Sequence, residues 1–234
     1  MRRRNLVAFL LAAPGAAHEA LAQAIRGSGV AKSEQRNLAP FDRIDVAGAF
    51  DVTLVDGSSY RITVEADNDL LDAISSDVID NELRISSLRS FVSRTTMKVT
   101  VESPPLRGLT VSGNAKATAG ALTGPAFAFA GSGSSTAKLG GSIDSLKISL
   151  AGAGRVDALD LTAESVEVEV LGSGTAEVHA VKTLSLMVIG SGTLRYRGNP
   201  KVSRNAIGRG RVEQMKNEKS RSRCAGAGTA TRQR

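Results

Sequence analysis

A Gly-small-Gly turn recurs along the second half of the chain, each time with alternating apolar residues on both sides. Six segments carry it: LTVSGNAKA from Leu109, FAFAGSGSS from Phe127, ISLAGAGRV from Ile148, VEVLGSGTA from Val168, LMVIGSGTL from Leu186 and RNAIGRGRV from Arg204. The first glycines are Gly113, Gly131, Gly152, Gly172, Gly190 and Gly208, at spacings of 18, 21, 20, 18 and 18 residues. The second glycines are Gly133, Gly154, Gly174, Gly192 and Gly210, and the first segment has Ala115 instead. Self-similarity at such a period is the mark of a repeat architecture, whose units bury their apolar face only by stacking. Glycine suits the turns because it reaches positive φ at little steric cost and lets rungs approach at strand spacing, about 4.8 Å.

Within each repeat the period is two. Leu146, Ile148 and Leu150 face one way, as do Val166, Val168 and Val170, and Leu184, Leu186 and Val188. Lys147, Glu167 and Glu169 face the other. After the turn, Ala117, Ser135, Val156, Ala176, Leu194 and Val212 form the expected inward row. Aromatics make up only 3% of the chain and Trp is absent, so the core is thin and aliphatic. The expected fold is all-β, a parallel β-helix-like solenoid with rungs of about 18–21 residues.

Gly-x-Gly also occurs in phosphate-binding loops, but those need a following helix or a Lys-Ser/Thr pair, and here strands follow. Calcium-binding nonapeptide repeats need a shorter period and an Asp after the turn. No cofactor is therefore expected.

Residues 38–106 are strand-rich without the regular turn. RIDVAGAFDVTLVDG, YRITVEA, ELRISSL and TMKVTVES read as strands, with a turn at Asp56-Gly57 and a stop at Pro104-Pro105. DNDLLDAIS reads as one helical turn capped by Asp67 or Asn68.

The N-terminus has Arg2, Arg3 and Arg4, an apolar run from Leu6 to Ala13, and Ala-x-Ala pairs at Ala20/Ala22 and Ala22/Ala24. That is the pattern of a secretory signal peptide, here over 1–24, with cleavage near Ala22 or Ala24. The run is too short to span a bilayer, and no lipid-anchoring Cys follows it. Residues 25–37 read as a linker, 38–212 as the solenoid and 213–234 as a basic disordered tail. The expected mature protein lies in the periplasm or outside the cell, with no transmembrane span.

The charge of +7 is unevenly placed. Residues 194–234 hold twelve basic residues against Glu213 and Glu218, so the stretch before them is acidic on balance. Arg195, Arg197, Lys201, Arg204, Arg209 and Arg211 read as an exposed row that suits an anionic ligand: envelope glycan, lipid headgroups or a protein partner rather than nucleic acid. Such charges also protect an open sheet edge from pairing.

No catalytic constellation stands out. The lone Cys224 forms no intramolecular disulfide, and with His18 and His179 it makes no credible metal site. His179 lacks a nucleophile partner. Asp157, Asp160, Glu164, Glu167, Glu169 and Glu177 lie on neighbouring rungs. They offer the carboxylates of an alternative, a polysaccharide lyase or hydrolase on acidic glycans. Outward acids at period two are more often a solvated strand face.

FDRIDVAGAFDVTLVDG, DNDLLDAI, ELRI and the GSG turns, in that order over residues 38–212, resemble the bacterial head GIN domain family, described as auto-transporter adhesins. The resemblance implies a right-handed parallel β-helix-like fold in an exported protein and supplies no catalytic residues. The expected function is an exported cell-envelope binding or structural module, adhesin-like and without catalysis.

Overall fold

The computed structural model describes residues 25–215. The N-terminal part comprises β1 (Ile25–Arg26), β2 (Ala31–Asn37), β3 (Arg43–Gly48), β4 (Asp51–Asp56) and β5 (Arg61–Asp67). After a 3₁₀ turn at Leu71–Ala73 come β6 (Ile74–Ile79), β7 (Glu82–Ser87), β8 (Phe91–Val92) and β9 (Lys98–Ser103). The regular part comprises β10 (Gly108–Gly113), β11 (Lys116–Gly133), β12 (Thr136–Gly152), β13 (Arg155–Gly172) and β14 (Thr175–Gly190). It ends with β15 (Thr193–Arg197), β16 (Lys201–Gly208) and β17 (Arg211–Gln214). Strands β10 to β17 stack in parallel, so the fold is a β-solenoid.

The alternation read from sequence sets the core. Leu146, Ile148 and Leu150, Val166, Val168 and Val170, and Leu184, Leu186 and Val188 are buried in three successive rungs. Register aligns Leu146 with Val166 and Val166 with Leu184, so like stacks on like.

The turns continue the hydrogen-bond ladder instead of interrupting it. Gly48, Gly113, Gly133, Gly152, Gly172, Gly190 and Gly208 stack on one another, all at positive φ. The carbonyl of each from Gly48 to Gly190 accepts a bond from the turn residue one rung on: Ser173 N–H donates to Gly152 O at 2.9 Å and Ser191 N–H to Gly172 O at 2.9 Å. A Cβ on Gly172 would stand 2.7 Å from Gly152 O, blocking that carbonyl. The second position of the turn has a different reason for glycine. It faces the core, and its row tapers from Phe50 through Ala115 and Ser135 to Gly154, Gly174 and Gly192. A Cβ on Gly192 would stand 2.6 Å from Val170 Cγ1.

Two expectations shift by two residues in one rung. Gly131, expected as a first turn glycine, pairs with Val111 and Leu150 in the inward row, and Gly133 holds the turn position. The inward row after the turn accordingly contains Ala137, not Ser135. A Cβ on Gly131 would stand 2.8 Å from Leu150 Cδ2 and 2.9 Å from the buried Ser135 Oγ, so those side chains would have to shift.

The N-terminal coils are not stacked in chain order. β3 pairs with β7 on one side and β10 on the other, while β4 pairs with β9 and β11. The coil β3–β4 is thus sandwiched between a coil formed later in the chain and the regular stack. β6 closes one face antiparallel to β7, through a two-residue loop at Asp80-Asn81 with positive φ at both. β2 closes the other face antiparallel to β5. Residues 25–37, expected as a linker, therefore form β1 and β2, because β5 offers an open edge whose backbone groups need partners. Arg36 spans this end, paired with Glu34 at 2.6 Å and donating to Leu71 O, Ile74 O and Ser76 Oγ.

Asp67 does not cap the 3₁₀ turn, which has no side-chain cap. It ends β5, fully buried, and accepts bonds from Gly29 N–H, Ser93 O–H and Arg94 N–H. Burial pushes its carboxyl up, but the bonds from Arg94, Ser93 and Gly29 outweigh it and hold the pKa below the ordinary aspartate value.

The opposite end lacks such a closure. Along β16 every residue is exposed, including Val202 at 41% in the row below Leu184, and Arg204 occupies the inward row below Leu186. A charge in an inward position of a terminal strand hinders pairing with another chain. The expected signal peptide at 1–24, Cys224, His18 and all of the expected tail after Met215 lie outside the described residues. Glu213 and Gln214 belong to β17.

Candidate functional site

The outward faces of the solenoid carry charge, and register decides which charges meet. Side chains on adjacent rungs lie about 4.8 Å apart, so opposite charges in one row pair across the stack. Lys98 meets Glu65, Arg107 meets Asp42, Lys116 meets Asp51, Lys138 meets Asp160 and Lys147 meets Glu167. Arg155 meets Glu177 and Lys182 meets Glu164. From Lys98 to Lys182 each lysine and arginine thus has an acid within 4.0 Å.

The pattern ends with Arg195. Its guanidinium reaches Glu177 at 3.0 Å and Glu213 at 3.4 Å, and their hydrogen bonds hold it firmly protonated. Glu177, only 8% exposed, sits between Arg155 and Arg195. Arg195 is therefore spent within the fold, which corrects its reading as part of an acid-free row: register places it between two glutamates. None of the ion pairs among the described residues involves Arg197, Lys201, Arg204, Arg209 or Arg211.

These five bases share the last coil but not one row. Arg197 ends β15, aligned with His179. Desolvation, and then the nearby Arg197 charge, lowers the pKa of His179 below 6.5. Its Nδ1 lies 3.5 Å from Thr162 Oγ1, and no nucleophile–base pair is formed. Lys201 opens β16, at the end of a groove of about 440 Å³ lined by Ser145, Ser165, Thr183, Ser185 and Ser203, with Glu167, Val166, Leu184 and Val202. Arg204 stands in the inward row of the open end. Arg209 lies in the last glycine turn and Arg211 just beyond it.

Of the acids singled out from the sequence, the structure sets Asp157 in register with Glu177 on the adjacent rung and Glu169 beside Met187. Asp160, Glu164, Glu167 and Glu177 each face a base of a neighbouring rung, and Asp157 accepts the Leu159 N–H. Among the described residues no three His, Cys, Asp or Glu side chains are grouped to hold a metal. No helix among them is long and apolar enough to cross a membrane.

Sequence reasoning missed Gly48, which opens the glycine ladder within Ala47-Gly48-Ala49-Phe50; its signal is the apolar alternation on either side. It also missed the hydroxyl groove, whose signal is a hydroxyl at the same point of three rungs, Ser145, Ser165 and Thr183.

Comparison with known proteins agrees with this fold. The family model described as "Putative auto-transporter adhesin, head GIN domain" matches residues 40–200. A solved structure of a putative adhesin from Bacteroides fragilis is similar with TM-score 0.69 and 20% identity, over 82% of this chain and 100% of that one. A putative lipid binding protein from Parabacteroides distasonis gives 0.57 and 21%, over 83% and 100%. A putative adhesin from Parabacteroides merdae gives 0.56 and 20%, over 82% and 99%. At these identities the likenesses show the fold. No curated relative matches the sequence.

Proposed function

The chain belongs to the head GIN domain family, and from that premise we propose an exported, adhesin-like binding module of the cell envelope without catalytic activity. Its contact surface is the last coil, and its ligands are anionic: acidic envelope glycan or lipid headgroups. One observation carries this reading. The bases from Lys98 to Lys182 are neutralised within the fold, and among the described residues those of the last coil, Arg195 apart, form no ion pair.

An uncompensated group of like charges attracts an oppositely charged surface and pays for its self-repulsion only in isolation. Export is supported by the Arg-rich, apolar and small-residue pattern of residues 1–24. Binding to lipid headgroups is supported by likeness to a chain named a putative lipid binding protein. Glycoside cleavage asks for two carboxylates facing one another across a cleft. Asp160, Glu164, Glu167 and Glu177 face lysines and arginines instead.

The test is a binding panel of acidic polysaccharides and anionic vesicles with the purified chain and a variant in which Arg197, Lys201, Arg204, Arg209 and Arg211 are replaced by Gln. Binding at low salt that the variant loses supports the reading. Equal binding by both, or turnover of an acidic polysaccharide, overturns it.

A further inference from the structure

The outward row just before the glycine turn changes character along the stack. Register aligns Ser132 with Ala151, Ala151 with Leu171, Leu171 with Ile189 and Ile189 with Ile207. The row is small at its upper end and aliphatic over the last three rungs. Leu171 and Ile189 are each 38% exposed and Ile207 is 59% exposed, with Met187 beside them at 39%. Single exposed aliphatics are ordinary, but a contiguous ladder of them on an outward strand face is not. At rung spacing the three span about 10 Å.

The turn row changes at the same end. Its two outward positions hold Ser173 and Thr175, then Ser191 and Thr193, then Arg209 and Arg211. The aliphatic ladder is thus flanked by two arginines at its end, Arg209 and Arg211. The nearby acids are Glu169, one rung above and aligned with Met187, and Glu213, already paired with Arg195.

We infer that this edge of the last three coils is a docking surface for an anionic lipid bilayer, with Leu171, Ile189 and Ile207 entering the interface and Arg209 and Arg211 bonding to headgroup phosphates. The inference rests on the reading of the last coil as an anion-binding surface and adds the source of the anion. The ladder lies just before the glycine turn of each coil, and its side chains are exposed. An exposed aliphatic ladder flanked by arginines fits a bilayer interface, where apolar side chains reach the acyl boundary and long basic side chains stay at headgroup level. Burial of the ladder and attraction to the headgroups add together.

The chain has no Trp, so one introduced Trp reports its own surroundings without background. In an Ile189→Trp variant, emission shifts to the blue on mixing with vesicles containing phosphatidylglycerol and stays unchanged with phosphatidylcholine alone. A Thr118→Trp variant, on an exposed position remote from the edge, shows no shift with either. In co-sedimentation, Arg209→Ser with Arg211→Ser weakens vesicle binding about 30-fold, at roughly fivefold per base. Ile189→Ser with Ile207→Ser weakens it about tenfold and leaves binding to an acidic polysaccharide unchanged. If Ile189→Trp emission does not move while the chain still binds acidic polysaccharide, the bilayer inference falls and the anion-binding reading stands. If vesicle binding survives the Ser pair undiminished, the aliphatic ladder has no part in it and the inference falls likewise. If neither vesicle nor polysaccharide is bound at low salt, both fall.

Discussion

Replacing Gly172 by Ala tests the glycine ladder at one rung. Gly172 has φ of +121°, where an L-residue costs about 1–3 kcal/mol. Its new Cβ would lie 2.7 Å from Gly152 O, the carbonyl that accepts the Ser173 N–H. Displacing that carbonyl weakens a bond worth about 0.5–1.5 kcal/mol. Loss of unfolded-chain freedom returns about 0.4–1 kcal/mol. The balance is about 1–4 kcal/mol of destabilisation, or a fall of roughly 3–15 °C in Tm for a unit of this size. Gly120 supplies the control: a Cβ there meets nothing within 4 Å, and its φ is not positive. Gly120→Ala should change stability by no more than about 1 kcal/mol, in the favourable direction. Thermal unfolding followed by far-ultraviolet circular dichroism measures both. If the two variants melt together, or Gly172→Ala melts at the wild-type temperature, glycine is not required there by contact and φ, and the account of the turns is wrong.

The other predictions concern the core, the charges and the closed end. Leu186→Ala removes a side chain buried between rungs and should cost about 2–5 kcal/mol in chemical denaturation; Val202→Ala, at the open end and 41% exposed, should cost about 0.5 kcal/mol or less. Glu177→Gln uncouples Arg155 and Arg195 and should lower Tm by a few degrees, a difference that shrinks in high salt; a salt-independent difference would contradict it. The pKa of Asp67 lies below 3.8 in the folded chain, so its contribution is present above the ordinary aspartate value and is lost as pH falls from about 4 through the folded value. Hydrogen exchange at the Gly29 and Arg94 amides, both bonded to Asp67, should accelerate over that acid range ahead of exchange in the β12–β14 rungs. Simultaneous loss at both places would show that Asp67 does not govern the N-terminal closure.

The repeat was legible because two local signals coincide in it, period-2 alternation and a glycine turn. They leave one ambiguity: in FAFAGSGSS both Gly131 and Gly133 fit the alternation, and only the carbonyl of Gly113 on the preceding rung marks Gly133 as the turn. The insertion of β3–β4 between β7–β9 and β10–β11 had no local signal, since parallel pairing joins residues far apart in the chain. β6 was hidden by Ser75, Ser76 and Asp77, which blur its alternation, although Asp80-Asn81 is a hairpin loop that the sequence does display. The basic residues of the last coil were legible as charges. Their division was not, because whether an arginine is neutralised depends on the register that sets Arg195 between Glu177 and Glu213. The aliphatic row was present in the sequence as the residue before each first glycine, Ala151, Leu171, Ile189 and Ile207, but exposure alone separates it from the core rows beside it.

The central claim is that binding depends on where positive charge lies and not on how much there is. Two variants with the same change of net charge test it. In one, Arg197, Lys201, Arg204, Arg209 and Arg211 become Gln; in the other, the ion-paired Lys116, Lys138, Lys147, Arg155 and Lys182 do. Titration of each against one acidic polysaccharide and one anionic vesicle preparation, at a common low salt concentration, should show binding lost in the first variant and kept near the wild-type level in the second. Equal loss in both variants would mean that overall charge drives the association, and would contradict a contact surface on the last coil.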